Sequence, residues 1–330
     1  MRVELTGDAS AFHARGWGDL VAADPDGTFF HTPAYLKLWW EEFGTGTLLL
    51  AFVVDAEGRL VAACPFEVVE GTLRFMGGFD VTDYMGPVSL PGLEEVAANE
   101  LMKALEFQVR WERADLRGLP TDGRWVATLE AAAAARGLGV ERGIDGVAPV
   151  IELPPAFDAY LDELPAKLRH EIKRKERRLI EEAGPYRVTL STPETLEGDL
   201  DRFMELHKAS PGPKGKFMHA GMEIFFRRLT ESFLATDHLH LAFIEVQGRK
   251  AAGAIAFAFG SSFSLYNSAF DREFSRLSPG MVLVADLIRR SIEVGTRRFD
   301  MLKGDLDYKY RFGAVPREIG RLVLSRASGG

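Results

Sequence analysis

The sequence predicts an α/β protein made of two tandem units, each a mixed, mostly antiparallel sheet flanked by helices. Three pairs of matched stretches predict it. LLLAFVVDAEGRLVAACPFEV (48–68) reads like LHLAFIEVQGRKAAGAIAFAF (239–259): an apolar strand, a Gly-Arg turn and a second apolar strand, which is a hairpin signal. SLPGLEEVAANELMKAL (89–105) is echoed by LSPGMVLVADLIRRSI (277–292), where a Pro-Gly turn opens an amphipathic helix. RADLRG (113–118) matches RFDMLKG (298–304), an apolar strand ending in a basic residue and glycine. The landmarks keep one order and lie 186 to 191 residues apart, the signature of an internal repeat.

The first unit is expected over residues 1–150 and the second over 151–330. Each reads in order as a strand, one or two helices, the hairpin, a further strand, a helix, a strand and a closing segment. At the join, GVAPVIELPP (146–155) ends the first unit, and the charged helix PAKLRHEIKRKERRLIEEAG (165–184) leads into the second. Leu164, Leu168, Ile172 and Leu179 give that helix a narrow apolar stripe. Its Lys and Arg residues are either a solvated face or a basic wall beside an acidic substrate.

Composition limits the function. At 330 residues, with 46% hydrophobic and 11% aromatic, the chain can bury two ordinary cores. Lys and Arg number 40 against 48 Asp and Glu, a net charge of −8, which argues against a general affinity for nucleic acid or anionic membranes. Any anion site must be local. Cys64 is the lone cysteine, so a disulfide framework and a cysteine-based zinc site are excluded and a reducing compartment fits. No segment approaches the ~20 apolar residues that span a bilayer. A cytoplasmic protein without membrane insertion is expected; the oligomeric state is left open.

The chemistry gathers in two stretches of the second unit. In REFSRLSPGMVLVADLI (272–288) a Gly-bearing turn feeds directly into a helix, whose first N–H groups lack intrahelical partners and favour an anion. Gly280 removes a side chain where a pyrophosphate would approach. A plain helix start with proline just inside is the alternative. The first copy differs: Pro91-Gly92 is followed by Glu94 and Glu95, carboxylates that satisfy the dipole and repel phosphate. The second stretch, FDMLKGDLDYKYRFGA (299–314), brings charged groups and two phenols to the end of an apolar strand.

These motifs carry a family resemblance. FHTPAYLKLWW (30–40), LRHEIKRKERRL (168–179), the Ser-Pro-Gly turn and FDMLKGDLDYKYRFGA resemble the CelD-like acyltransferases, a branch of the GNAT superfamily. The architecture also resembles the Fem peptidyltransferases, which are two GNAT units in tandem. The resemblance covers nearly the whole chain and is most specific from Ser278 to Gly313.

The resemblance implies that the second unit binds acyl-CoA through Arg276, Ser278, Pro279, Gly280, Met281 and Val282, and that the first unit shapes the substrate. The GNAT phosphate loop is written Q/R-x-x-G-x-G/A; Arg276 matches, while Pro279 and Met281 stand where glycine or alanine would. The closing pattern Tyr-x-x-x-Gly supplies a phenol near the leaving thiolate, but four residues before Gly313 stands Lys309, between Tyr308 and Tyr310. Lys309 is expected to stabilise the thiolate or oxyanion and Tyr308 to donate the proton. Asp305 is a candidate for orienting the acceptor amine, and Asp307 is expected to cap the next turn. A purely structural, salt-bridged helix is the alternative for this segment.

Candidate acceptor contacts are Asp83 and Tyr84 in FMGGFDVTDYMGP (75–87), Lys214 and Lys216 in HKASPGPKGKF (207–217), and Asn267 in LYNSAFD (265–271). His238 and His240 share a strand face but lack a third ligand, so no metal is expected. His31 reads as a residue at a helix start. No dinucleotide fingerprint, P-loop or Gly-x-Ser-x-Gly elbow occurs. The expected function is N-acyl transfer, most simply acetyl transfer, from acetyl-CoA or another acyl-CoA to an amine of a small polar acceptor such as a sugar-nucleotide or cell-envelope precursor. The alternatives are a Fem-type transferase using aminoacyl-tRNA, the one reading with a nucleic-acid partner, and a non-catalytic module that keeps the fold.

Overall fold

The computed structural model describes residues 1–13, 16–78 and 81–326. They form two compact units: 1–147 together with 317–330, and 148–316. The division falls close to the expected 150/151, but the end of the chain does not follow it. The last strand, β13, pairs antiparallel with a strand of the first unit, so residues from Arg317 onward belong there.

In chain order the first unit carries β1 (Arg2–Thr6), α1 (Trp17–Ala23), α2 (Pro33–Phe43), β2 (Thr47–Val54), β3 (Leu60–Val69), β4 (Thr72–Phe75), β5 (Val88–Ser89), α3 (Glu94–Gln108), β6 (Arg113–Pro120), α4 (Trp125–Ala134) and most of β7 (Gly139–Glu152). Its sheet runs β1-β2-β3-β4-β6-β13, with β5 added on β3; only the β4–β6 pairing is parallel among these. β2 and β3 are the expected hairpin, buried along most of their length.

The second unit carries α5 (Phe157–Glu163), α6 (Ala166–Ala183), β8 (Tyr186–Leu190), α7 (Leu196–Lys208), α8 (Pro213–Phe217), α9 (Ala220–Leu234), β9 (Leu239–Val246), β10 (Arg249–Phe259), β11 (Ser262–Phe270), α10 (Pro279–Glu293), β12 (Arg298–Asp300) and α11 (Asp307–Tyr310), and ends as β13 (Val315–Ser325) begins. The sheet order is β12-β11-β10-β9-β8, with the end of β7 on the outer side of β12; β11 and β12 are parallel and the other pairs antiparallel. Gln247 and Gly248 both adopt positive φ, which makes the two-residue turn that joins β9 to β10 without splaying them. β9 and β10 are apolar along most of their length because the sheet is covered on both faces, by α10 on one and by α7 and α9 on the other.

Two details differ from expectation. Leu164 lies outside the charged helix, as the C-cap residue of α5, although it is buried with Ile172 and Leu179 in the same core. The strand expected over 298–304 ends at Asp300, since Leu302 and Gly304 take positive φ and turn the chain away. The segment 207–217, read from the sequence for its two lysines alone, contains a helix of its own, α8.

Candidate active site

α10 starts from an unusual corner. Ser278 adopts the left-handed conformation (φ 55°, ψ 47°), Pro279 occupies the first helical position, and no acid stands in the first turn. The Ser278 side chain does not cap the helix; its Oγ instead accepts a hydrogen bond from Lys175 Nζ at 2.9 Å. Lys175 belongs to α6. Its pKa is lowered by burial and by the neighbouring Arg174, Arg311 and Arg178, with Glu171 opposing. Such crowding of like charges beside an acid-free helix start is a surface that favours an anion. Gly280 faces only Phe270, with 3.7 Å of room for a Cβ. Arg276 lies outside this cluster, exposed and paired with Glu182 at 2.5 Å. Met281 packs half-buried on the core, and Val282 is buried in it.

The matching turn of the first unit is closed from within. Glu94 and Glu95 occupy the first turn of α3, and Glu94 accepts a hydrogen bond from Gly92 N at 3.2 Å. Arg124 then clamps Glu94 together with Asp24 and Asp26. The carboxylates take the place that an external anion would need.

Beyond β12 the chain folds into a tight knot. Lys309 is 3% exposed, and its ammonium donates to the carbonyls of Leu302 at 2.7 Å and Lys303 at 3.1 Å. Where the sequence leaves that charge to be met by a transition state, backbone oxygens already meet it. Gly313, at φ 77°, lies against Leu164, and any Cβ there would collide with its Cδ2. Tyr308 packs against the α10 side of the core and is hydrogen-bonded to Ser268; burial pushes its phenol up to about 12, so it holds its proton at neutral pH. Asp305 is exposed and accepts from the Tyr310 hydroxyl, which raises the Tyr310 phenol. The expected Asp307 cap is corrected: Leu306 is the N-cap residue of α11, and no side chain caps it.

β11 carries a bulge. Its register against β10 slips between Leu265 and Asn267, leaving Tyr266 without an opposite residue. Asn267 is hydrogen-bonded to His207 of α7, while its neighbour Ser268 meets Tyr308. His207 is 1% exposed, and its Nδ1 has no hydrogen-bond partner among the described residues. Burial first, and the nearby charge of Lys214 second, lower its pKa to about 4, so the imidazole is neutral. Lys214 thus acts on this cluster by its charge, although it is exposed on α8, as Lys216 is.

Asp83 and Tyr84 lie in the first unit. Tyr84 is 3% exposed, with its ring against Phe30 and beneath the Arg317 guanidinium, so it is a core residue; Asp83 is half-buried. Residues 79 and 80 of that loop lie outside the described residues. His31 accepts at Nδ1 from Thr28 N and closes the capping box of a short helical turn at 29–31. His240 accepts from Arg290 at 3.1 Å.

Residues 166–310 match the family model described as an acetyltransferase (GNAT) domain. No curated protein matches the chain. Among solved structures, FemX is similar with a TM-score of 0.68 at 12% identity, over 98% of this chain and 97% of its own. L-PGS from Bacillus licheniformis is similar with a TM-score of 0.56 at 15% identity, over 94% of each chain. A tandem GNAT protein from the clavulanic acid biosynthesis pathway is similar at 0.51 and 12% identity, over 99% of this chain and 100% of its own. At these identities the structures speak to the fold. The domain match describes residues 166–310, within the second unit, and the structures extend the likeness in fold over nearly the whole chain.

Proposed function

We propose that the second unit transfers an acyl group, acetyl in the simplest case, from acyl-CoA to an amine of a small polar acceptor, and that the first unit binds no CoA. The observation that carries the donor assignment is the contrast between the two helix starts: α10 is free of acids and bordered by Lys175, while α3 is closed by Glu94 and Arg124. The pyrophosphate belongs at the acid-free start of α10, beside Gly280, Lys175 and Ser278.

Acyl transfer to an amine passes through a tetrahedral intermediate and expels a thiolate. Tyr308 is the proton donor to that thiolate, since its phenol carries its proton at neutral pH and lies beside Ser268 of β11. Lys309 is a positioning residue: its ammonium holds the Leu302–Lys303 turn from which the Tyr308 segment returns. Asn267, with His207 and Lys214 behind it, faces the acceptor, and an anionic acceptor such as a sugar-nucleotide or cell-envelope precursor suits the lysines of α8. The basic surface of α6 supports a second reading, in which aminoacyl-tRNA is the donor.

Calorimetric titration with acetyl-CoA, longer acyl-CoAs and tRNA, side by side, tests the proposal. Saturable acyl-CoA binding supports it. Binding of tRNA alone transfers the assignment to the second reading, and binding of neither leaves a module without turnover.

A further inference from the structure

Helices α5, α6 and α10 and strand β8, all of the second unit, enclose a cavity of about 200 Å³. Phe157, Leu161, Ile172, Val282 and Ala285 make its walls apolar. Glu176, Tyr186 and Asp286 make one end polar, and Asp158, Lys173 and Arg289 complete the ionisable lining.

Counting donors at the polar end leaves a deficit. The Tyr186 hydroxyl has one hydrogen, shared between Glu176 Oε1 at 2.8 Å and Asp286, so it cannot fully satisfy both carboxylates. Arg289 pairs with Asp286 Oδ1, and its guanidinium carbon lies 4.4 Å from the centre of the Phe157 ring, so this cation is already committed. Asp286 Oδ2 is buried and has no hydrogen-bond partner among the described residues. Burial raises the Asp286 carboxyl, with Glu176 adding to it against Arg289; burial, Asp286 and Glu176 together push the Tyr186 phenol up, so the phenol stays a donor. Three carboxylates therefore line the cavity against two cations; Asp158 and Lys173 are exposed, which leaves Glu176 and Asp286 against Arg289 inside.

We propose that this cavity binds a small organic ammonium ion, its N–H groups on Asp286 and Glu176 and its apolar part between Phe157, Ile172 and Ala285. The ammonium supplies the donors that the protein does not. The carboxylates exclude phosphate and carboxylate ligands, which separates the cavity from the turn at Ser278 although both lie on α10. The volume lies below the ~300 Å³ at which sites for drug-sized ligands begin, so the occupant is no larger than an arylalkylamine. The proposal does not depend on acyl-CoA being the donor.

Benzylamine is a suitable probe, with benzyl alcohol and benzoate as neutral and anionic counterparts of the same shape. Calorimetry on the full chain gives the affinities, and amide ¹H–¹⁵N spectra locate the site. Benzylamine is expected to saturate, to shift the amides of Glu176, Tyr186 and Asp286, and to bind at least about tenfold more tightly than benzyl alcohol, the margin of one charge-assisted hydrogen bond. Asp286→Asn is expected to weaken it about tenfold while acetyl-CoA binding and Tm stay as they are. Should that variant fail to fold, Glu176→Gln is read in the same way. Equal affinities for amine and alcohol, amide shifts confined to other elements, or benzylamine affinity unchanged in the folded variants would overturn the proposal.

Discussion

The ammonium of Lys309 donates to the carbonyl of Leu302 at 2.7 Å, and Leu302 holds a positive φ of 56°. A buried lysine thus fixes the backbone just where the chain leaves β12. A leucine in that conformation is strained by about 1–3 kcal/mol and persists only while its surroundings hold it.

Lys309→Met should therefore lower stability by about 1–3 kcal/mol, since two carbonyls lose their donor in a buried place. It should also lower kcat, measured as thiol released from acetyl-CoA, by about tenfold or more through the displaced Tyr308 segment, with acetyl-CoA affinity nearly unchanged. A destabilised but fully active variant would sink the positioning role. Undiminished stability with lost turnover would mean that the ammonium acts on the reacting atoms.

Gly280→Glu tests the donor turn. A Cβ at this position meets only Phe270 at an ordinary distance, and the residue is helical without positive φ, so the fold should tolerate the change. The added carboxylate stands in the first turn, as Glu94 does in α3, and CoA binding should be lost with Tm within a few degrees of the parent. Retained affinity would falsify the assignment of the turn.

One acyl-CoA per chain is expected in a calorimetric titration, because Glu94 and Arg124 close the corresponding turn of the first unit. Two equivalents per chain would overturn the division of labour between the units.

Acid should destabilise the protein through His207. Its folded pKa of about 4 lies below the ordinary 6.5, so the stability it contributes is complete above about pH 6.5 and is lost as pH falls toward 4. Between pH 7 and pH 5 this single group should remove about 2 kcal/mol. In His207→Gln the denaturant-unfolding free energy should fall less over the same interval, and parallel pH slopes for the parent and the variant would refute the account.

Much of this was legible in the sequence. The two hairpins, the helices that follow them and the acid-free start of α10 follow from the period of apolar residues, the placing of Gly and Pro, and the comparison of one copy with the other, all of which are local signals. The chain by itself therefore determined the tandem α/β class and the difference between Glu94-Glu95 and Met281-Val282. Tertiary structure alone decided the partners. Lys175 reaches Ser278 across 103 positions of sequence, and nothing local marks it among the other cations of α6. β13 goes to β6 because an exposed strand edge is satisfied by whichever strand arrives beside it, which no local pattern encodes. The bulge at Tyr266 turns Asn267 to His207 and Ser268 to Tyr308, and a strand's alternation cannot announce the position at which it slips. Lys309 reads in sequence as a charge awaiting a reaction. The fold buries it, and a buried ammonium takes the nearest oxygens, here the carbonyls of Leu302 and Lys303.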